Sequence, residues 1–171
     1  MARKYYRRRR FYRRKGLWSS NIQALQSTKV VSSNNAFGDY LVLAYNESQN
    51  PNSVSQKFTI KNIEVSGQVE SNPSPNVEDL VYYIVYVPEG FVISDSLPIE
   101  HPEWIMAYKY IGQSFTTSGT NSIQPPKIVS RLARKLSSGD RIVFMYTGAN
   151  NGAEASTVSF RGLVRWWSKS N

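Results

Sequence analysis

Residues 1–15 of this chain, MARKYYRRRRFYRRK, hold nine basic side chains and no carboxylate: Arg3, Lys4, Arg7, Arg8, Arg9, Arg10, Arg13, Arg14 and Lys15. No core can take in such a block, because desolvating unpaired guanidinium groups is prohibitive. Like charges in a row repel one another and favour an extended, disordered chain. Whatever folds here must therefore be built by the residues that follow. The whole chain has 21 basic and 12 acidic residues, so twelve of each remain after the arm and the net charge of +9 resides in the first fifteen positions. A neutral domain carrying a cationic arm is the expected organisation, with the arm over 1–16 and the domain over 17–171.

The arm's chemistry narrows its partner. Tyr5, Tyr6, Phe11 and Tyr12 are interleaved with the arginines. Guanidinium forks pair with phosphates in bidentate fashion, and aromatic rings stack on bases that are not already paired, at about 1–3 kcal/mol per base. Residues Arg3 to Lys15 are therefore expected to bind single-stranded nucleic acid. A nuclear localisation signal is a compatible second use; a heparin or membrane patch and a ribosomal-type tail are the other readings of such a block.

The remaining roughly 150 residues suit one domain with one core. Hydrophobic residues make up 40% of the sequence and aromatics 13%, enough to bury a core. With no cysteine, disulfides, thiolate metal sites and cysteine nucleophiles are excluded. No run approaches the roughly 18 apolar residues of a membrane span, and the basic N-terminus lacks the apolar segment of a signal peptide. A protein made and kept in the cytosol or nucleus is expected.

Along the chain, short β-type runs alternate with turn chemistry. Thr28–Ser32 and Tyr40–Tyr45 are the first two, joined by the turn-rich SNNAFGD, or else they form one bent strand. Between Gln56 and Glu70, Phe58 and Ile60 share one parity while Ile63, Val65 and Val69 share the other. A parity switch within one run requires an extra residue, which predicts a β-bulge near Lys61 and Asn62. Leu80–Val87, LVYYIVYV, is apolar on both parities and predicts the most buried central strand, ended by Pro88-Glu89-Gly90. Trp104–Ile111 is a further β run. Ile128–Leu136 fits helical spacing and strand alternation alike; the SSGD turn that follows, leading into Arg141–Tyr146, favours a hairpin over a helix. Thr157–Trp167 closes the series, with Val158, Phe160, Val164 and Trp166 on one face. About eight strands without helical alternation predict an all-β sandwich, jelly roll or closed barrel.

Few residues suggest catalysis. His101 is the sole histidine, between Glu100 and Glu103, and the twelve carboxylates form no paired motif. A metal site needs several ligands and no serine sits in a nucleophile elbow. The chain is read as a non-enzyme with no cofactor and no metal. Arg131, Arg134, Lys135 and Arg141 form the densest basic cluster of the domain, either a solvated face or a secondary phosphate contact. Near the C-terminus, alternation sends Trp166 inward and Trp167 outward, with a subunit interface as the first reading of Trp167 and a base-stacking platform as the second.

The arm, together with VYVPEG at 85–90, HPEWI at 101–105, LSSGDRI at 136–142 and FRGLV at 160–164, resembles the capsid proteins of small circular single-stranded DNA viruses, the circovirus-like and nanovirus-like group. The resemblance extends over the whole chain in layout. It implies an eight-stranded antiparallel jelly-roll sandwich, a closed icosahedral shell of roughly sixty copies (T=1), and an inward-facing arm on circular single-stranded DNA. The partners implied are the genome, further copies of the chain and nuclear import receptors; the locations are the virion and the host nucleus and cytoplasm. Such a shell would present roughly 540 arm charges, about half the phosphates of a kilobase-scale circle. The alternatives are the capsid protein of a small RNA satellite virus, a cellular RNA-binding protein with a basic tail, and a barrel-type single-strand binding domain.

Overall fold

A computed structural model describes residues 17–47, 57–72, 77–112 and 125–170. The described residues form nine strands: β1 (Ser19–Val31), β2 (Asn35–Tyr45), β3 (Phe58–Asn72), β4 (Val77–Val87), β5 (Ile105–Gly112), β6 (Lys127–Ser130), β7 (Arg134–Leu136), β8 (Arg141–Asn150) and β9 (Ser156–Ser170). One sheet has the order β1-β9-β3-β6, with β7 also on β3; the other has the order β2-β8-β4-β5. All neighbours are antiparallel. With β6 and β7 taken as one interrupted strand, the pairs run first with eighth, second with seventh, third with sixth and fourth with fifth. That is the jelly-roll winding, in which successive strands change sheet except across the fourth-to-fifth connection.

The bulge in β3 governs much of this layout. Asn62 adopts a φ of 51°, and the β3–β9 register shifts between Lys61 and Glu64. Because one extra residue is absorbed there, Ile60 and Ile63 are both buried although they differ in parity. The predicted bulge is thus present. Its effect reaches the opposite edge of β3, where Ile63 pairs with Ser130 and Ile60 with Arg134. The partner chain leaves the ladder over residues 131–133, which is why one predicted strand is two, β6 and β7.

Four other expectations change. Residues 128–136 are not the hairpin partner of β8, which lies in the other sheet; the SSGD turn crosses between sheets. β1 begins nine residues before the expected run, its ladder with β9 sustaining a stretch that buries only Leu25 and Val31 of its hydrophobic side chains. β1 and β2 are the two strands of the first reading and not one bent strand, but the turn between them shrinks from 33–39 to 32–34. β4 shares its burial with β8, which carries five consecutive buried residues from Ile142 to Tyr146.

Both strands are apolar on both parities because both faces are covered. On the inner face Tyr82, Phe144, Tyr146 and Phe160 form a ring cluster, with centroids of Phe144 and Phe160 4.7 Å apart. On the other face Val85, Val87, Val143 and Met145 pack under Leu97, Ile93 and Trp104. The last three belong to the 88–104 connection, which includes a short helix at Leu97–Glu100 and a 3-10 turn at Pro102–Trp104. Space for the Phe160 ring comes from a facing glycine pair: a Cβ on Gly67 would fall 2.6 Å from Phe160 Cζ, and one on Gly162 would fall 2.5 Å from the Ser66 carbonyl oxygen.

Asp140, 6% exposed, ties one end of the sandwich together. Its carboxylate accepts from Ser137 N–H (2.7 Å), Tyr86 O–H (3.0 Å) and Glu89 N–H (3.2 Å). Its carbonyl accepts from Asn46 N–H at 3.0 Å. The ends of β2, β4, β7 and β8 thereby meet at one residue.

Candidate nucleic-acid interface

The arm residues Arg3 to Lys15 lie outside the described residues, so the site is built from the point where the chain emerges. Leu17 is exposed, and Trp18 is followed directly by Ser19, paired with Ser168 near the end of β9. Trp18 lies on the outward face of the β1-β9-β3-β6 sheet, where the Lys61 ammonium is 3.9 Å from its ring centroid, within cation–π range. Lys61 faces outward by alternation from the buried Ile60, and the bulge that follows it brings Ile63 back to the core.

Strand register shows what else shares that face, since directly paired residues project to the same side. On β9 the outward series is Arg161, Leu163, Arg165, Trp167 and Lys169, basic and apolar in turn. Opposite them on β3 stand Gln68, Ser66, Glu64, Lys61 and Thr59. Lys127 and Lys135 extend the face onto β6 and β7 through their pairing with Ser66 and Thr59. The strands of this face thus contribute six basic residues (Lys61, Lys127, Lys135, Arg161, Arg165, Lys169) and two acidic ones, Glu64 and Glu70. Glu64 is in an ion pair with Lys127 at 2.8 Å. Since residues 16–171 hold twelve of each sign, six basic and ten acidic residues remain for the rest of the domain. Neutrality of the total conceals a domain with one positive face, and the described chain begins beside it, at Leu17 and Trp18 ahead of edge strand β1.

The four residues of the predicted secondary cluster do not form one patch. Lys135 lies on the basic face and Arg131 is exposed in the 131–133 link. Arg134 and Arg141 turn toward the end of the sandwich, over the rings of Tyr86 (5.2 Å) and Tyr45 (5.6 Å). Trp166 packs against the core, as alternation predicts. Trp167 is outward and 37% exposed, paired with Lys61 on one side and Ser20 on the other. On the same sheet a shallow depression of about 250 Å³ is lined by Ile22, Glu64, Ser66, Leu163, Val164 and Arg165.

His101 stacks on Trp104 with centroids 3.8 Å apart and an interplanar angle of 8°, and its Nδ1 is 3.1 Å from Glu103 Oε1. A backbone hydrogen bond and then the His101 contact hold the Glu103 carboxyl below its ordinary range. Among the described residues no group of three or more His, Cys, Asp or Glu is placed to hold a metal ion, and no helix is long and apolar enough to cross a membrane.

Sequence reasoning missed the Trp18–Lys61 pair and the gathering of half the domain's basic residues on one face. The alternation Arg161-Leu163-Arg165-Trp167-Lys169 was the available signal; its meaning depended on knowing that β3 lies alongside.

No family model matches the chain, and no curated protein sequence matches it. Among solved structures it is similar to the BFDV capsid protein in a decameric crystal structure, at 8% identity over 91% of this chain and 99% of that one, with a TM-score of 0.38. It is also similar to the Cyanophage Pam1 capsid asymmetric unit, at 9% identity over 86% and 85% of the two chains, TM-score 0.32. A third is from Desmodium yellow mottle tymovirus, at 13% identity over 90% of each chain, TM-score 0.33.

Proposed function

We propose that this chain is a viral capsid protein that assembles with further copies of itself into a closed shell and packages single-stranded nucleic acid, circular DNA, through Arg3 to Lys15. The observation that carries this reading is the basic face on the sheet that the described chain enters first, through Trp18 and β1. A shell subunit must present one side to a polyanion and the other to solvent; here the cations of the fold gather on one face of the sheet whose edge strand, β1, follows the nine arm charges in sequence. The jelly roll supplies two paired sheets whose connections can vary without disturbing the ladders. In this reading the β1-β9-β3-β6 sheet faces the interior and the acidic remainder faces outward and sideways.

The proposal includes a T=1 shell of roughly sixty copies, the closed point-group assembly smallest in subunit number for icosahedral symmetry. It also assigns the arm a second use as a nuclear import signal before assembly, which places the protein in the host cytoplasm and nucleus as well as in the virion. The protein acts by binding and assembling, without catalysis. Electron microscopy of the purified protein, with the 260 to 280 nm absorbance ratio of the same fraction, tests the reading. Uniform closed particles with high 260 nm absorbance are expected, and nuclease treatment of the extracted nucleic acid then separates DNA from RNA. A monomer that stays unassembled across salt and pH would overturn it in favour of a tailed RNA-binding protein.

A further inference from the structure

We infer that preference for single-stranded over duplex nucleic acid resides in the folded domain, in Trp18 and Trp167 on the basic face. This rests on the proposed nucleic-acid function and goes beyond it. A cationic arm alone does not provide that preference: duplex DNA carries one charge per about 1.7 Å of axis, a higher density than a single strand, so a purely electrostatic arm binds duplex at least as well. Discrimination needs groups that use what only a single strand offers, an exposed base face.

The two indoles meet that need. Trp18 immediately precedes β1 and Trp167 lies on the adjacent β9, on one sheet face, 36% and 37% exposed, with Ser20 paired to Trp167 and Trp18 two residues before Ser20. Diagonal neighbours of this kind are about 7–8 Å apart, within reach of one another for long side chains. Phosphate partners surround them: Lys61 pairs with Trp167 and lies over Trp18, Lys169 is two residues along β9, and Arg165 is two residues the other way. The depression lined by Ile22 and Leu163 extends the apolar floor beside Arg165. Aromatic rings set in a basic surface, with six cations to two carboxylates on its strands, match a polynucleotide in charge and in stacking chemistry. Lys61 has a defined part: when a base takes its place over the Trp18 ring, its ammonium reaches the adjoining phosphate.

The test compares a fluorescent oligo(dT) with a duplex of the same length, binding the full-length protein freed of nucleic acid. The proteins are the wild type, the Trp18→Ala/Trp167→Ala double variant, and Trp18→Leu/Trp167→Leu, which keeps apolar bulk but cannot stack. Both double variants are expected to lose at least about tenfold in affinity for the single strand, with duplex affinity within about twofold and the salt slope unchanged. Equal losses for both ligands, or no loss for either, would overturn the inference while leaving the arm's role intact. Leucine variants that bind oligo(dT) as tightly as the wild type but no longer assemble would also overturn it, assigning the rings to contact between copies. Failure of the broader reading looks different: the wild-type chain would then bind neither ligand, or bind without dependence on salt, and the inference would fall with it.

Discussion

Replacing Asp140 by alanine would test whether one carboxylate holds the end of the sandwich. The side chain accepts three hydrogen bonds, from Ser137 N–H, Glu89 N–H and Tyr86 O–H, at 2.7, 3.2 and 3.0 Å. Hydrogen bonds to a charged group contribute about 1.5–3 kcal/mol each, and groups left unsatisfied cost about 1–3 kcal/mol. The three share one acceptor and are not additive, and water reaches part of the site. Asp140→Ala is therefore expected to cost about 3 kcal/mol, and Asp140→Asn, which retains one acceptor oxygen, about 1 kcal/mol. With an m-value of about 2 kcal/mol/M, urea unfolding followed by tryptophan fluorescence should show the alanine midpoint lowered by about 1.5 M. Tyr86→Phe should cost less in the alanine background than in the wild type, because its hydroxyl has by then lost its partner. An alanine midpoint within about 0.3 M of the wild type would mean that Asp140 does not hold this end of the sandwich.

Gly162→Ala drives a methyl to 2.5 Å from the Ser66 carbonyl oxygen and toward the Phe160 ring, and should destabilise by about 2 kcal/mol or more in the same unfolding assay. Deleting Asn62 removes the bulge and turns Phe58 and Ile60 outward, so the variant should fail to give a cooperative urea transition, whereas Asn62→Gly, suited to a φ of 51°, should unfold within about 0.5 kcal/mol of the wild type. Burial, the largest cause for each, raises the Tyr82 and Tyr146 hydroxyls above their ordinary value of 10.0. The unfolded chain then loses these protons first, so stability present below pH 10 falls as pH rises beyond it, by up to about 1.4 kcal/mol per pH unit for each tyrosine. Urea midpoints between pH 9 and 12 should show that decline, and Tyr146→Phe should make it shallower.

The fold was legible where burial on one face dictated the residue pattern. Phe58, Ile60, Ile63, Val65 and Val69 encode both a strand and its bulge, because every one of them has to reach the same core. Val158, Phe160 and Val164 encode β9 in the same way. Patterns failed where burial is partial or pairing is non-local. The first half of β1 is held by its ladder with β9 and buries little, so Ser19–Ser27 carries no hydrophobic signature. The SSGD turn has the local chemistry of a hairpin, yet its flanking strands lie in different sheets, a choice made by which partners β3 and β4 offer. For the candidate site, the arm's charge is written directly in the sequence, while its residues lie outside the described ones. The basic face was not legible, since Lys61, Lys135 and Lys169 are far apart along the chain and meet only through register.

If the arm binds single-stranded nucleic acid by displacing counterions from phosphates, oligo(dT) binding must weaken with salt in proportion to the phosphates the arm contacts. Each phosphate contact contributes about 0.7 to the slope of log K against log salt for single strands. Replacing Arg7, Arg8, Arg9 and Arg10 by glutamine should make that slope shallower by about 3 and weaken binding steeply at low salt. An unchanged slope in this variant, with affinity preserved, would contradict the account.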